Sequence, residues 1–392
     1  MLKTEIPTRA ELVSRVDEIV PILRAGAPWS DENRRLHEDA LDALSGAGIF
    51  KMRVPTRYGG YESDAGTLLE VISQIAYGDG SAAWNVSAWS ISAWLAGHFP
   101  DHVQDEIFAT DARVCGVLSP SAAAVPANGG VVVNGSWHFI SGAHHSQWQV
   151  ALAMGPTPDG SSMWPLMLAV PMTDLEIVDD WHTMGLRGTG SVMTVAKDVF
   201  VPQDRVLPLV MVLQEQSASK LNPASPVYRS PMMATGCTAF IGTSIGLAKA
   251  AQEAFMGRLD RKITYTEYGS QREAAVTHLQ VAEAAMLIEE AEGHAVKLAA
   301  MVDSKGISAE PWSIDEKVRA RAYLGRTFQL AKRASEIYSE GSGGSSIYHV
   351  EPIQRTVRDL HALSMHALMH PTTNAELYGR ILCGLAPNTM YV

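Results

Sequence analysis

The chain is poor in the features that mark several large protein classes. It has three cysteines, Cys115, Cys237 and Cys383, which stand far apart and form no CxxC or zinc spacing. That excludes a disulfide scaffold and fits a reducing compartment, with the thiols expected as small core residues. Positive charge is short: 31 Lys and Arg stand against 42 Asp and Glu, for a net charge of −11. No basic stripe exists to neutralise phosphates, so nucleic acid is not an expected partner. No uninterrupted apolar run of about 18 residues occurs, so no membrane span is expected. The N-terminus alternates charged and apolar residues from Glu11 to Val20 and has no apolar h-region, which reads as a helix with the cytoplasm as the expected compartment. GxxxxGK(S/T), HExxH and GxSxG are all absent, which removes the anchors of P-loop, zinc-protease and α/β-hydrolase readings. Gly188-Thr189-Gly190 starts like a dinucleotide fingerprint, but a strand-like run follows it where that motif needs a helix.

What is present is a chain with 46% hydrophobic and 19% charged residues, suited to two or three packed units. Residues 1–112 read as helical: Leu12, Val16 and Ile19, then Leu36, Ala40, Leu41 and Leu44, recur at helical spacing. A turn at Val54–Gly60 precedes two more helical stretches, Gly66–Ala76 and the tryptophan-rich Ser81–Leu95. Residues 113–213 change character. Val131–Val133, Trp137–Ile140, Val150–Ala153, Leu166–Val170 and Val192–Val201 are strand-like runs, expected to form an antiparallel barrel or sandwich. Residues 214–231 are polar and proline-containing and read as a loose linker, and 232–392 return to a helical pattern broken at Gly341–Ser346. The order helices, strands, helices gives an α+β, mostly α, fold class.

The chemistry is expected at residues 353–370. Leu360, Leu363, Ala367 and Leu368 recur at helical spacing and Pro371 stops the run, so the stretch reads as one amphipathic helix. Asp359, His366 and His370 then fall close to one face, and an imidazole facing a cleft exchanges protons near neutral pH. His366 and His370 have helical metal spacing but no evident third ligand, so no metal is expected. Trp137–Gly142 places an aromatic, an aliphatic and the Ser141 hydroxyl just before a glycine. It reads either as a core strand entering a turn or as a wall against a flat ring. Gly185–Ser191 clusters small hydroxyls and bare backbone donors, which suit a phosphate or a ring edge as well as an ordinary glycine loop. Trp84, Trp89 and Trp94 drift around one helix and read mostly as core.

Taken together these pieces resemble the acyl-CoA dehydrogenase fold, and within it the oxygenase component of two-component flavin-dependent monooxygenases. The resemblance rests on Val54–Gly60, on Asn134–Gly142, on Trp181–Ser191 with Asp198–Pro202, and on Pro352–Arg355, Arg358-Asp359, His366 and Tyr378–Arg380. It implies a helical N-terminal domain, a middle β-domain and a C-terminal four-helix bundle forming a homotetramer, with flavin between β-domain and bundle and partly held by a neighbour. A dehydrogenase needs a carboxylate to take a proton beside the thioester carbonyl. The two places where the resemblance would put it are Met365-His366-Ala367 and Gly236-Cys237, and neither holds an acid.

For an oxygenase, the resemblance implies His366 near flavin C4a and Ser141 on N5, steadying a C4a-hydroperoxide, with Asp359 supporting from the same helix. Trp84, Ser119, Phe139, Ile140, Gly142, Thr189, Gly190 and Ser191 are the implied ring-side binding residues, and Arg261, Gly343 and Gly344 those reaching the cofactor of a neighbour. The cofactor is expected to be reduced FAD, with FMN as the alternative. A separate NAD(P)H-dependent flavin reductase would supply it, and O2 and a small aromatic or heteroaromatic molecule, such as an indole-like or fused-ring compound, would be the substrates. The phenol hydroxylases of the group carry a second histidine where this chain has Ser92, which leaves open how Ser92 or His370 meets the substrate. A dehydrogenase or oxidase with a relocated base, an N- or S-oxygenating member and a member without catalysis are the alternatives.

Overall fold

The computed structural model describes residues 6–157 and 159–392. Helix α1 (Arg9–Asn33) begins where Thr8 caps it: the Thr8 side chain accepts from the Glu11 N–H while Glu11 reaches back to the Thr8 N–H. α2 (Glu38–Gly46) follows, then α3 (Ala65–Gly78), α4 (Gly80–Ala96) and α5 (Asp101–Ile107). α3 and α4 are each capped by an aspartate, Asp64 and Asp79. α4 is buried almost all round, which is why its three tryptophans form no single stripe.

The strands are β1 (Val114–Gly116), β2 (Ala122–Ala127), β3 (Gly130–Ile140), β4 (Trp148–Pro156), β5 (Met163–Pro171), β6 (Glu176–Val178), β7 (Val192–Pro202) and β8 (Val206–Pro208). Every strand-like run of the sequence lies inside one of them. They form one eight-stranded sheet in the order β6-β7-β3-β2-β4-β5-β8, with β1 beside β4. The expectation of purely antiparallel pairing is corrected: β4 runs parallel to both β1 and β2. Short runs show their alternation in sequence but not the direction of a neighbour reached from afar.

After the short α6 (Leu209–Leu213), residues 214–231 depart from the expected loose linker. Ser219 Oγ donates to Asp101 at 2.6 Å, and the Asn222 amide donates to the Gly97 carbonyl at 2.7 Å. Part of the polar composition here is used internally, at the buried Ser219 and Asn222, while Gln214, Glu215, Gln216 and Lys220 face solvent. The C-terminal helices are α7 (Met232–Met256), α8 (Ala275–Ser308), α9 (Ile314–Ser342), α10 (Pro352–Leu363) and α11 (Pro371–Leu382). α7 is buried all round in its first four turns and packs against α3. There a Cβ on Gly246 would sit 2.0 Å from the Ser73 carbonyl oxygen, so only glycine allows the two backbones this close. The three long helices with the α10–α11 pair make the bundle.

The single helix expected over 353–370 is corrected. α10 ends at Leu363, residues 364–370 form successive turns, and Pro371 opens α11. Proline at the first helical position loses no hydrogen bond and has its φ already set, so here it starts a helix and does not stop one. Cys115 and Cys237 are buried as expected, but Cys383, just past α11, is exposed. Among the described residues no helix is long and apolar enough to cross a membrane.

Candidate functional site

Strand β3 sets the position of the site. Its pairing with β7 is regular to Trp137 and resumes at Ile140, with a register break between. At that bulge Phe139 takes a left-handed φ of +67°, a costly conformation for a bulky residue and one that re-aims side chains. Phe139 is consequently exposed, meeting the edge of Trp181 with ring centroids 5.9 Å apart and the His138 ring at 6.4 Å. Ile140 points the other way and is fully enclosed in the sheet core, so its side chain forms no wall. Gly142 (φ +69°) turns the chain, its N–H donating to the Thr189 carbonyl, and a Cβ there would strike the Trp89 indole.

The turn carries Ser141 into a buried run of polar contacts. The Trp84 indole Nε1–H donates to Ser141 Oγ at 2.8 Å. Ser141 Oγ is 2.8 Å from Ser191 Oγ, which is 2.7 Å from Thr189 Oγ1. Thr189 Oγ1 in turn lies 2.8 Å from the Leu186 carbonyl oxygen. Leu186 is itself left-handed (φ +53°), and its carbonyl also accepts the Trp181 indole N–H at 2.9 Å. Its N–H donates to Asp359 Oδ1 at 2.6 Å. Four candidates from distant parts of the chain, Trp84, Ser141, Thr189 and Ser191, are thus brought into direct contact. Gly190, between the last two, supplies a left-handed turn against the Arg34 carbonyl.

His366 faces the same helix from the turns between α10 and α11. Its ring lies 5.3 Å from Trp84 and 6.3 Å from Phe240, centroid to centroid. It is accessible in the single chain, yet protein surrounds the ring closely enough that burial pushes its pKa down to about 4. Both facts describe a ring lining a deep recess. The Leu368 N–H donates to Nδ1 at 3.2 Å, so in the neutral ring the hydrogen sits on Nε2. The lowered pKa alone does not mark a site: burial also takes His98 to about 3 and His145 to about 4, and His98 has no partner on either nitrogen.

Asp359 lies apart from His366. Burial raises its pKa to about 7, with the nearby Asp79 adding to the rise and the Leu186 N–H and Arg355 opposing it. Asp79 and Asp359 both line a groove of about 1400 Å3 that includes neither Ser141 nor His366. Asp359 therefore acts on the loop before β7 and not on the imidazole. Ser119 is exposed in the coil after β1, and His370 caps α11 with its Nδ1 buried and unpartnered. Ser92 is buried on α4, its Oγ turned to Gly116 of β1. Among the described residues no group of three or more His, Cys, Asp or Glu is placed to hold a metal.

Arg261 belongs to a second assembly. Its Nη1 donates to Ser345 Oγ at 2.9 Å, and Ser345 Oγ also accepts from Arg258 at 2.7 Å, beside Gly343 (φ +70°) and Gly344. Glu351 pairs with Arg258 and lies 3.6 Å from Arg261. Reading the sequence missed Phe240, Arg258 and Glu351, and it took Trp181 and Leu186 only as members of the Trp181–Ser191 block. Phe240 stands among small and apolar residues of a buried helix with nothing to single it out. A leucine in a left-handed turn has no sequence signature either. Arg258, three residues before Arg261, was detectable as a second cation on the same turn.

The groups present suit a flavin. Phe139 offers an exposed flat wall, Ser141 keeps a lone pair beyond its two contacts, and a neutral imidazole stands near the Trp84 indole. Comparison with known proteins agrees. Residues 239–371 match the family model for the acyl-CoA dehydrogenase C-terminal domain. The flavin-dependent monooxygenase oxygenase subunit HsaA of Rhodococcus jostii is 28% identical over 94% of this chain and 97% of its own. The oxygenase component of an FADH2-dependent resorcinol hydroxylase from Rhizobium is 27% identical, covering 97% and 96%. XiaF from Streptomyces, solved with FADH2 and glycerol, superposes with a TM-score of 0.92 at 29% identity, over 97% of each chain. Along nearly its whole length the chain is similar in sequence and fold to oxygenase components of flavin-dependent monooxygenases, and its C-terminal part matches the acyl-CoA dehydrogenase C-terminal domain.

Proposed function

We propose that the protein uses reduced flavin and O2 to insert one oxygen atom into a small aromatic or heteroaromatic substrate, the flavin arriving from a separate NAD(P)H-dependent reductase. The observation that carries this is the grouping of Ser141, Trp84 and neutral His366 around a recess that holds no carboxylate. An acyl-CoA dehydrogenase needs such a base there, and the two buried acids, Asp79 and Asp359, serve another hollow. The relatives are named as flavin-dependent or FADH2-dependent, and among them are hydroxylases of resorcinol, indole-3-acetate and p-hydroxyphenylacetate. Reduced FAD is the proposed cofactor, with FMN the alternative.

When bound, the flavin supplies the electrons and the site at which O2 is activated. The chain's own work is positioning and dryness. Phe139 and Trp181 wall the ring, and Ser141 Oγ meets the N5 edge. His366 presents Nε2–H to the oxygen being transferred or to the substrate. With its pKa pushed down by burial it is held neutral, and it acts as an orienter by hydrogen bonding through Nε2–H. The buried indoles and Phe240 keep water from the reacting atoms. Arg258, Arg261 and the Gly343–Ser345 loop form a cation-rich end suited to phosphates of a neighbouring subunit's cofactor in a homotetramer. Reconstitution with reduced FAD, a flavin reductase and a panel of phenols, indoles and fused heterocycles under 18O2 tests the reading. One 18O atom in the product supports it. Bleaching of protein-bound oxidised flavin by an acyl-CoA, with no labelled product, would replace it by a dehydrogenase.

A further inference from the structure

The contacts around Ser141 form a line whose two ends have fixed polarity. The Trp84 indole N–H can only donate, and the Leu186 carbonyl can only accept. Between them stand three hydroxyls with one hydrogen each: Ser141, Ser191 and Thr189, at successive separations of 2.8, 2.8, 2.7 and 2.8 Å. The 2.8 Å contact with the carbonyl requires the Thr189 hydrogen, since two bare oxygens would repel at that distance. Thr189 then has none left for Ser191, so Ser191 donates to Thr189. By the same count Ser141 donates to Ser191 and accepts from Trp84. Only one arrangement satisfies every member. Leu186 is held in turn by the Trp181 indole, which donates to its carbonyl, and by Asp359, which accepts from its N–H.

The geometry points to Trp84, Ser191, Thr189 and Leu186 as positioning groups that use up the Ser141 hydrogen and leave Ser141 solely an acceptor toward flavin N5. The inference rests on the proposed contact between Ser141 and N5. Reduced flavin carries a hydrogen on N5 and can donate to Ser141. Oxidised flavin has only a lone pair there, so the two acceptors repel. The chain of hydroxyls therefore selects the oxidation state of the ring: it favours entry of reduced flavin, retention of the N5 hydrogen while the reaction runs, and release once the flavin is oxidised. A free serine hydroxyl would turn to suit either state.

The test is anaerobic titration of the full-length, flavin-free protein with oxidised FAD and with photoreduced FAD, reported as the ratio of the oxidised to the reduced dissociation constant. Wild type should favour reduced FAD. Ser191→Ala frees the Ser141 hydrogen, so oxidised FAD should bind more tightly and the ratio fall about fivefold to tenfold. A tenfold fall appears as a drop of about 30 mV in the midpoint potential of the bound flavin. Ser191→Thr keeps a hydroxyl and should restore the ratio. Thr189→Val cuts the line one link further on and should give a smaller drop, which serves if Ser191→Ala does not fold. In a Ser141→Ala background, Ser191→Ala should leave the ratio unchanged. A merely structural role for Ser191 would weaken both oxidation states together and leave the ratio intact, which overturns the inference while the Ser141 contact stands. If Ser141→Ala itself leaves the ratio at the wild-type value, the contact with N5 is wrong and the inference falls with it.

Discussion

The two polar assemblies assigned to the flavin differ in kind. Around Ser141 the three hydroxyls and the Trp84 indole are buried and each has a determined partner, and they come from α4, the turn after β3 and the loop before β7. Around Arg261 the guanidinium is about half exposed, and its nearest anion, Glu351, is shared with Arg258. A buried network is strong because water cannot replace its bonds, and it is intolerant for the same reason. A half-exposed ion cluster is screened and worth little on its own until a ligand or another subunit covers it. The hydroxyl line around Ser141 is thus satisfied within one chain, while the half-exposed Arg261 guanidinium keeps room for a further anion.

That contrast orders the expected effects of mutation. Ser141→Ala should be the most severe, lowering coupled product formation about a hundredfold or more and diverting O2 to H2O2, measured by peroxide release against product. His366→Ala should come next. Because His366 is neutral in the folded protein, product formation should stay flat with pH between about 6 and 8, its folded pKa lying near 4. A loss of activity as pH rises through about 6.5 would mean that the protonated ring is the working form, and would break the assignment.

Asp359 sharpens the comparison from the side of stability. Its folded pKa of about 7 lies above the ordinary carboxyl value of 3.8, so the native state holds a proton that the unfolded chain releases. Its contribution to stability is fully present below about pH 4 and is lost as pH rises through 7. Asp359→Asn keeps an acceptor for the Leu186 N–H without the charge, so its denaturation midpoint should gain on wild type over that window. Asp359→Ala, which strands the Leu186 N–H, should cost about 1–3 kcal/mol at any pH. Arg261→Ala should have the smallest effect, a weakening of flavin affinity by about tenfold or less that fades as salt is raised. An effect of Arg261 as large as that of Ser141 would erase the distinction between the two ends.

Much of the ring end was legible in residue types. Ser141 before a glycine, the hydroxyls at Thr189 and Ser191, and the tryptophan at 84 were all identifiable. Their mutual contact was not, since Trp84 and Ser141 are 57 residues apart and only the fold brings them together. The helix read over 353–370 failed at Ser364, because the turns that carry His366 keep apolar residues at nearly helical spacing and a proline serves the start of a helix as well as the end of one. Asp359 was consequently assigned to the wrong neighbour. It lies on α10 and reaches back to the β-domain, a contact spanning 173 residues. The parallel pairing of β4 was hidden for the same reason. Local pattern speaks to which face of a strand is buried, not to which strand lies alongside.

The central claim is that this recess holds reduced flavin dry and governs its reaction with O2. Stopped-flow mixing of the protein–reduced FAD complex with oxygenated buffer, following the return of oxidised-flavin absorbance, tests it most directly. The account predicts that return to be delayed well beyond the free-flavin reaction and to proceed through a distinct absorbance phase, with the delay shortened in Ser141→Ala. Reoxidation at the free-solution rate, identical in wild type and Ser141→Ala, would contradict it.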